Sequence, residues 1–170
     1  KQEMRVQVQA IYPHPGFTPN GITKQDNIAL IETKQAFTFG DYVQPICLPE
    51  DDGDLLDDNK KGWVTGWGYQ KKGGSVNHEL QQALITFDDN EVCEKTWSRN
   101  MYDSEICAGD GSKTICNNDE GDPLMVQAPS GKWFMHGNAA MSDPDCKLPG
   151  IFSKISFFCK WISAMTDEDI

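Results

Sequence analysis

Arg5-Val6-Gln7-Val8-Gln9-Ala10 alternates long polar with apolar or small side chains at a period of two. That spacing puts one set of residues on each face of an extended chain, as in a half-buried β-strand. Residues 5–12, 28–31, 63–66, 80–87, 124–127, 133–139 and 151–155 form short apolar or alternating runs punctuated by Gly, Pro, Asn and Asp. Many short strands separated by turn residues predict an all-β sandwich or barrel. Residues 156–166 alone carry a helical pattern, with Phe158, Ile162 and Met165 on one face and Trp161 beside them. No solenoid-length repeat and no low-complexity tract interrupts the picture.

The chain has 170 residues, and 15 Lys and Arg against 26 Asp and Glu leave a net charge of -11. A length of this order supports one large domain or two small ones packed together. Nucleic acid is not an expected ligand, because phosphate binding draws on clustered bases that this balance does not supply. No apolar run approaches the roughly 20 residues that cross a bilayer, so no membrane span is predicted. The opening Lys1-Gln2-Glu3-Met4-Arg5 contains no apolar signal-peptide core.

Nine of the 26 acids fall in two places, at Glu50, Asp51, Asp52, Asp54, Asp57 and Asp58 and at Asp167, Glu168 and Asp169. Their spacing lacks the alternating ligands, central glycine and closing glutamate of an EF-hand loop, and they are expected to be a solvated loop and a frayed tail. Six cysteines, at 47, 93, 107, 116, 146 and 159, form no C-x-x-C pair, so neither a zinc ribbon nor a thioredoxin-like motif is indicated. An even count in a loop-rich chain reads as a disulfide framework made in an oxidising compartment, and extracellular secretion is the working expectation. No cofactor and no metal are expected.

Six motifs in order sharpen this. They are Asp26-Asn27-Ile28-Ala29-Leu30-Ile31, Pro45-Ile46-Cys47-Leu48-Pro49, Gly62-Trp63-Val64-Thr65-Gly66-Trp67-Gly68, Ile106-Cys107-Ala108-Gly109, Cys116-Asn117-Asn118-Asp119-Glu120-Gly121-Asp122-Pro123-Leu124 and Pro149-Gly150-Ile151-Phe152. Together the series closely resembles the trypsin/chymotrypsin-like serine proteases, whose patterns are NDIALL, PICLP, CWVTGWG, ICAG, CQGDSGGPL and PGVY. The resemblance implies two antiparallel six-stranded Greek-key β-barrels of the chymotrypsin-like fold and a C-terminal α-helix. It places residues 1–45 in the C-terminal part of a first barrel that is incomplete here. Residues 46–62 become an acidic interbarrel linker, 63–155 the second barrel, and 156–170 the C-terminal helix and acidic tail.

Catalysis in that family needs a serine nucleophile, a histidine base and an aspartate that orients the histidine. The serine position is Glu120 and the aspartate position is Asn27. A carboxylate has no proton to give the base and attacks amides poorly. An amide cannot stabilise an imidazolium with a full charge, and it invites the wrong tautomer. Asp26 is one position off and is expected to point elsewhere. The family histidine lies in a segment upstream of this chain, and His14, His78 and His136 read as structural or solvated. No catalytic residue is therefore expected.

The glycine that donates one oxyanion-hole N–H is Asn118, which tolerates a left-handed turn. A carboxylate at Glu120 would oppose the developing oxyanion. Asp119 matches the aspartate that pairs with a newly cut N-terminal amine; it is expected either to pair within a fuller polypeptide or to sit in a zymogen-like loop. The former substrate pocket maps to Thr114 and Ile115 at its base and Ala140-Met141-Ser142 along its wall, with Gly150 expected to leave the floor open. No carboxylate at the base selects Lys or Arg.

The resemblance pairs Cys93 with Cys107 and Cys116 with Cys146. A further family disulfide is missing at both ends, where Gly62 and Val126 stand. Cys47 is expected to pair with Cys159 or with a segment outside this chain. The function that follows is a non-catalytic serine protease homologue, a secreted binding or regulatory protein. An upstream segment or companion chain would complete the first barrel, and a protein partner as yet unidentified would dock on the surface. The alternatives are a serine-type endopeptidase with an unorthodox site and a fragment of a longer protease chain.

Overall fold

A computed structural model describes residues 3–18, 24–51 and 61–167. Two strands come first, β1 (Val8–Pro13) and β2 (Ala29–Thr33), paired antiparallel with Ile11 opposite Ile31. Six more follow: β3 (Lys61–Gly66), β4 (Gln81–Asp88), β5 (Glu105–Ala108), β6 (Pro123–Gln127), β7 (Trp133–Met141) and β8 (Gly150–Lys154). They close into an all-antiparallel barrel in the order β3-β4-β5-β8-β7-β6, with β6 returning to β3. Helix α1 (Asn90–Trp97) lies between β4 and β5, and helix α2 (Ile155–Thr166) follows β8 directly.

Alternation drives the barrel. In β3, Gly62, Val64 and Gly66 point inward while Trp63 and Thr65 lie half-buried on the other face. Val64, Ile85, Ile106, Leu124, Ala139 and Phe152 fill the interior, joined by Ile115 from the loop before β6. Each fully buried aliphatic or aromatic side chain contributes about 1.5–3 kcal/mol of transfer free energy. A second cluster joins the two sheets. Ile155, Phe158, Cys159 and Ile162 of α2 pack against Leu30 of β2 and Ile28 just before it, and against Leu48 and Met135. Helix α2 has no side-chain N-cap bond, so its stability comes from this packing rather than from its ends.

Four sequence expectations shift. The first strand begins at Val8 rather than Arg5, because its pairing with β2 starts at Val8 opposite Thr33. Met165 is 44% exposed, and the buried face of α2 runs through Ile155, Phe158, Cys159 and Ile162. The apolar runs do not locate β5, the sixth strand that the resemblance implies for the second barrel, and helix α1 is not among the sequence expectations. Residues 46–62 are only partly a linker: the Cys47 backbone pairs with β7, through Cys47 N–H to Trp133 O at 3.0 Å and Met135 N–H to Cys47 O at 2.9 Å. Residues 61 and 62 already belong to β3. The acids at 52, 54, 57, 58, 168 and 169 lie outside the described residues.

The disulfides Cys93–Cys107 and Cys116–Cys146 are formed, with Cα atoms 5.8 Å and 4.9 Å apart. The Cys47–Cys159 pairing is not. Cys159 faces the α2 cluster, and its thiol donates toward the Pro49 carbonyl at 3.0 Å and the Ile155 carbonyl at 3.4 Å. Cys47 remains a half-exposed thiol beside β7. The missing family disulfide leaves a structural trace. Register pairs Trp63 with Met125 and Val64 with Leu124, so Gly62 comes opposite Val126 across β3 and β6.

Candidate functional site

The loop 116–122 runs from the Cys116–Cys146 disulfide to β6. Two turns shape it, through Asp119 N–H to Cys116 O at 3.2 Å and Asp122 N–H to Asp119 O at 2.9 Å. Its far end is stitched to β7, with Gly121 N–H donating to Ala139 O and Ala139 N–H to Asp122 O, both at 2.8 Å. Asn118 takes the left-handed conformation expected of it, at φ 69°.

Glu120 projects from this loop and is solvent-exposed. Its Oε2 accepts the Asn118 backbone N–H at 3.1 Å, and its Oε1 accepts the Ser142 hydroxyl at 3.2 Å. The carboxylate thus links the oxyanion loop to the former pocket wall and takes up the donor that the resemblance assigns to an oxyanion. Asn27 lies across from it in another role. Its Nδ2 donates to Ala140 O at 3.2 Å, and its carbonyl accepts the Ser153 hydroxyl at 2.9 Å and Asn138 Nδ2 at 3.4 Å. Those three bonds tie the segment leading into β2 to β7 and β8.

The histidines stand apart from these two positions in role. His14 Nδ1 accepts the Gly16 N–H at 3.1 Å, and the ring meets Phe158 and Trp161 of α2 edge-on at centroid distances of 5.0 Å and 4.9 Å. Asp26 points toward this junction: its Oδ1 accepts the Ser104 hydroxyl at 3.1 Å and its Oδ2 lies 3.8 Å from His14 Nδ1. His78 is exposed before β4, and His136 is fully buried within β7.

The residues that the resemblance maps to a substrate pocket are largely packed into the fold. Thr114 Oγ1 donates to Leu148 O at 2.9 Å. Ile115 is 2% exposed and packs over Gly150, where an added Cβ would stand 2.5 Å from its Cγ1. The expectation that Gly150 leaves the floor open is therefore corrected, because Ile115 occupies that space as part of the barrel core. Ala140 is buried, and Met141 packs against Cys93, Cys107 and Ile151. Of the predicted wall, Ser142 alone reaches the loop, through its bond to Glu120.

Asp119 is half-buried and held by backbone donors on both oxygens: its Oδ1 accepts Gly68 N–H at 2.8 Å and its Oδ2 accepts Cys116 N–H at 2.9 Å. Sequence reasoning missed Asp122 beside it. Burial pushes the Asp122 carboxyl up to about 7, reinforced by its hydrogen bond with Asp119 and by the charges of Asp119 and Glu120. The available signal was the motif itself, since CQGDSGGPL has a glycine where Asp122 stands. Among the described residues, no group of three His, Cys, Asp or Glu is arranged to hold a metal ion.

Comparison with known proteins places the chain among proteases. The chain is 32% identical over 168 residues to rat chymotrypsin-like elastase family member 1, covering 95% of this chain and 62% of that protein. It is 32% identical over 168 residues to bovine proproteinase E, covering 95% and 66%. It is also 32% identical over 170 residues to rat transmembrane protease serine 9, covering 97% of this chain but 16% of that protein. The chain thus spans less than two thirds of the length of two of these relatives and about two thirds of the third. The family model for trypsin matches residues 1–162, nearly the full length, and the chain belongs to the trypsin-like serine protease family.

Proposed function

We propose that this chain is a non-catalytic serine protease homologue, a secreted binding or regulatory protein that engages a protein partner through its protease-like surface. The observation that carries the reading is the Glu120 carboxylate, which accepts the Asn118 N–H and the Ser142 hydroxyl at the nucleophile's position. Acyl transfer needs a deprotonatable nucleophile and an empty set of donors for the oxyanion. Glu120 supplies neither. Asn27, engaged with Ala140, and Ile115, seated over Gly150, point the same way.

Two disulfides support an oxidising, extracellular setting. The partner reading draws on the first sheet, where Val8, Ile11 and Ile31 are 50%, 59% and 62% exposed. Apolar side chains on a two-stranded sheet call for a covering layer, and an upstream segment or companion chain is the proposed cover.

A second reading, a serine-type endopeptidase with an unorthodox site or as part of a longer protease chain, draws on the relatives named as proteases. Labelling the longest native form with a serine-directed fluorophosphonate decides between them. No adduct on this chain is the expected result; a stoichiometric adduct on it overturns the non-catalytic reading.

A further inference from the structure

The two aspartates of the 116–122 loop are packed against each other in a way that a pair of ionised carboxylates does not tolerate. Gly66 and Gly68 make room for them. An added Cβ on Gly66 would collide with Asp122 Oδ2 and Asp119 Oδ1, and one on Gly68 would collide with the Asp119 carboxyl. Both Asp119 oxygens already accept backbone N–H groups, so Asp119 is held as an acceptor. Asp122 Oδ2 is buried, and no donor reaches it. Its close polar neighbour is the Asp119 carboxyl, and a proton on Asp122 turns that contact from repulsion into a hydrogen bond.

We infer that Asp119 and Asp122 share one proton across their facing carboxyls, and that this proton locks the 116–122 loop in the conformation in which Glu120 holds the Asn118 N–H. Loss of the proton places two charges against one another, with Glu120 as a third, and the loop is released. This adds a regulation to the loop and holds whether or not the chain hydrolyses a peptide.

The titratable groups facing Asp122 are Asp119 and Glu120 from its own loop. Tyr69, from the turn after β3, and Lys113, from the segment before β6, line the cavity of about 290 Å³ beside the pair. Strand β4 presents Gln81 and Gln82 there, and β7 the Ala139 backbone. The upward push on Asp122 comes from burial and from acids, with no base among its causes, which is the direction a shared proton requires.

The test is backbone hydrogen exchange on the full chain, expressed as protection factors for the Gly68, Cys116 and Asn118 amides between about pH 6 and pH 8. Protection is expected to fall by about tenfold or more as the proton leaves, because one pH unit of linked protonation is worth a tenfold change. In Asp122→Asn an amide donor replaces the proton and cannot dissociate, so protection stays level across the range. Asp122→Gly, which restores the family's glycine, also gives a level profile and guards against a folding failure in the first variant. A direct carboxyl carbon titration places the Asp122 midpoint near neutrality. Level protection in the unsubstituted chain, an equal fall in Asp122→Asn, or an Asp122 midpoint in the ordinary carboxylate range overturns the inference.

Discussion

Ile115 lies on Gly150 so closely that a Cβ added at Gly150 would stand 2.5 Å from Ile115 Cγ1 and 2.7 Å from its Cδ1. The contact makes the position that the resemblance assigns to a pocket floor part of the barrel core, since Ile115, Phe152 and Leu124 belong to one buried cluster. Gly150→Ala is therefore expected to destabilise the fold by about 1–3 kcal/mol through overpacking. Ile115→Ala alone, which removes both Cγ1 and Cδ1, costs about 2–5 kcal/mol. Combined, the two substitutions cost less than their sum, because the smaller side chain relieves the clash. Urea unfolding of the four chains measures this; strict additivity would show that Ile115 does not occupy the Gly150 space.

Register across β3 and β6 brings Gly62 opposite Val126. Gly62→Cys with Val126→Cys is expected to close a disulfide between these strands and to stabilise the oxidised chain by about 2–4 kcal/mol. Crowding offsets part of this gain, because a Cβ at Gly62 meets Leu124 Cδ1 at 2.8 Å and Phe87 at 3.0 Å. Gly62→Cys alone should then lower the melting temperature, and reducing the double variant should bring it below the unsubstituted chain. Failure of the double variant to oxidise would contradict the register.

Cys159 is 7% exposed and faces the α2 cluster, whereas Cys47 is half-exposed beside β7. Differential alkylation followed by non-reducing peptide mapping should recover Cys159 as a thiol that reacts only after unfolding. A peptide joining Cys47 to Cys159 would sink this expectation.

What could be seen in the residues beforehand, and what could not, follows from where the burial signal lies. Alternation exposes β3 and β6, where Val64 and Leu124 point inward between half-buried neighbours. Strand β5 carries no alternation, because all four of its residues are buried. Its polar member, Glu105, is masked by a buried pair with Arg99, whose Nη2 lies 2.8 Å from Glu105 Oε1. Helix α1 has no continuous apolar face; its one buried residue, Cys93, is bonded to Cys107, and an exposed Glu91–Lys95 pair lies one turn apart. The substituted positions Asn27 and Glu120 were legible as single letters in known motifs. The Ile115–Gly150 contact and the Asp119–Asp122 contact were not, since each depends on how loops fold onto the barrel.

Asp122 also predicts how stability varies with pH. Its carboxyl is raised from 3.8 to about 7 in the folded chain, chiefly by burial. Below the unfolded value both states hold the proton, and the contribution is complete. Between the two values the folded chain keeps a proton that the unfolded chain has lost, so each rise in pH favours unfolding. Above about 7 neither state holds it, and the dependence levels off. Other carboxylates titrate near the lower end, so the informative quantity is the difference between the unsubstituted chain and Asp122→Asn. Urea midpoints at a series of pH values should show the unsubstituted chain losing stability relative to the variant from about pH 4 to pH 7, with a constant gap above that. Parallel curves across the whole range would mean that Asp122 gives up its proton as easily in the folded chain as in the unfolded one.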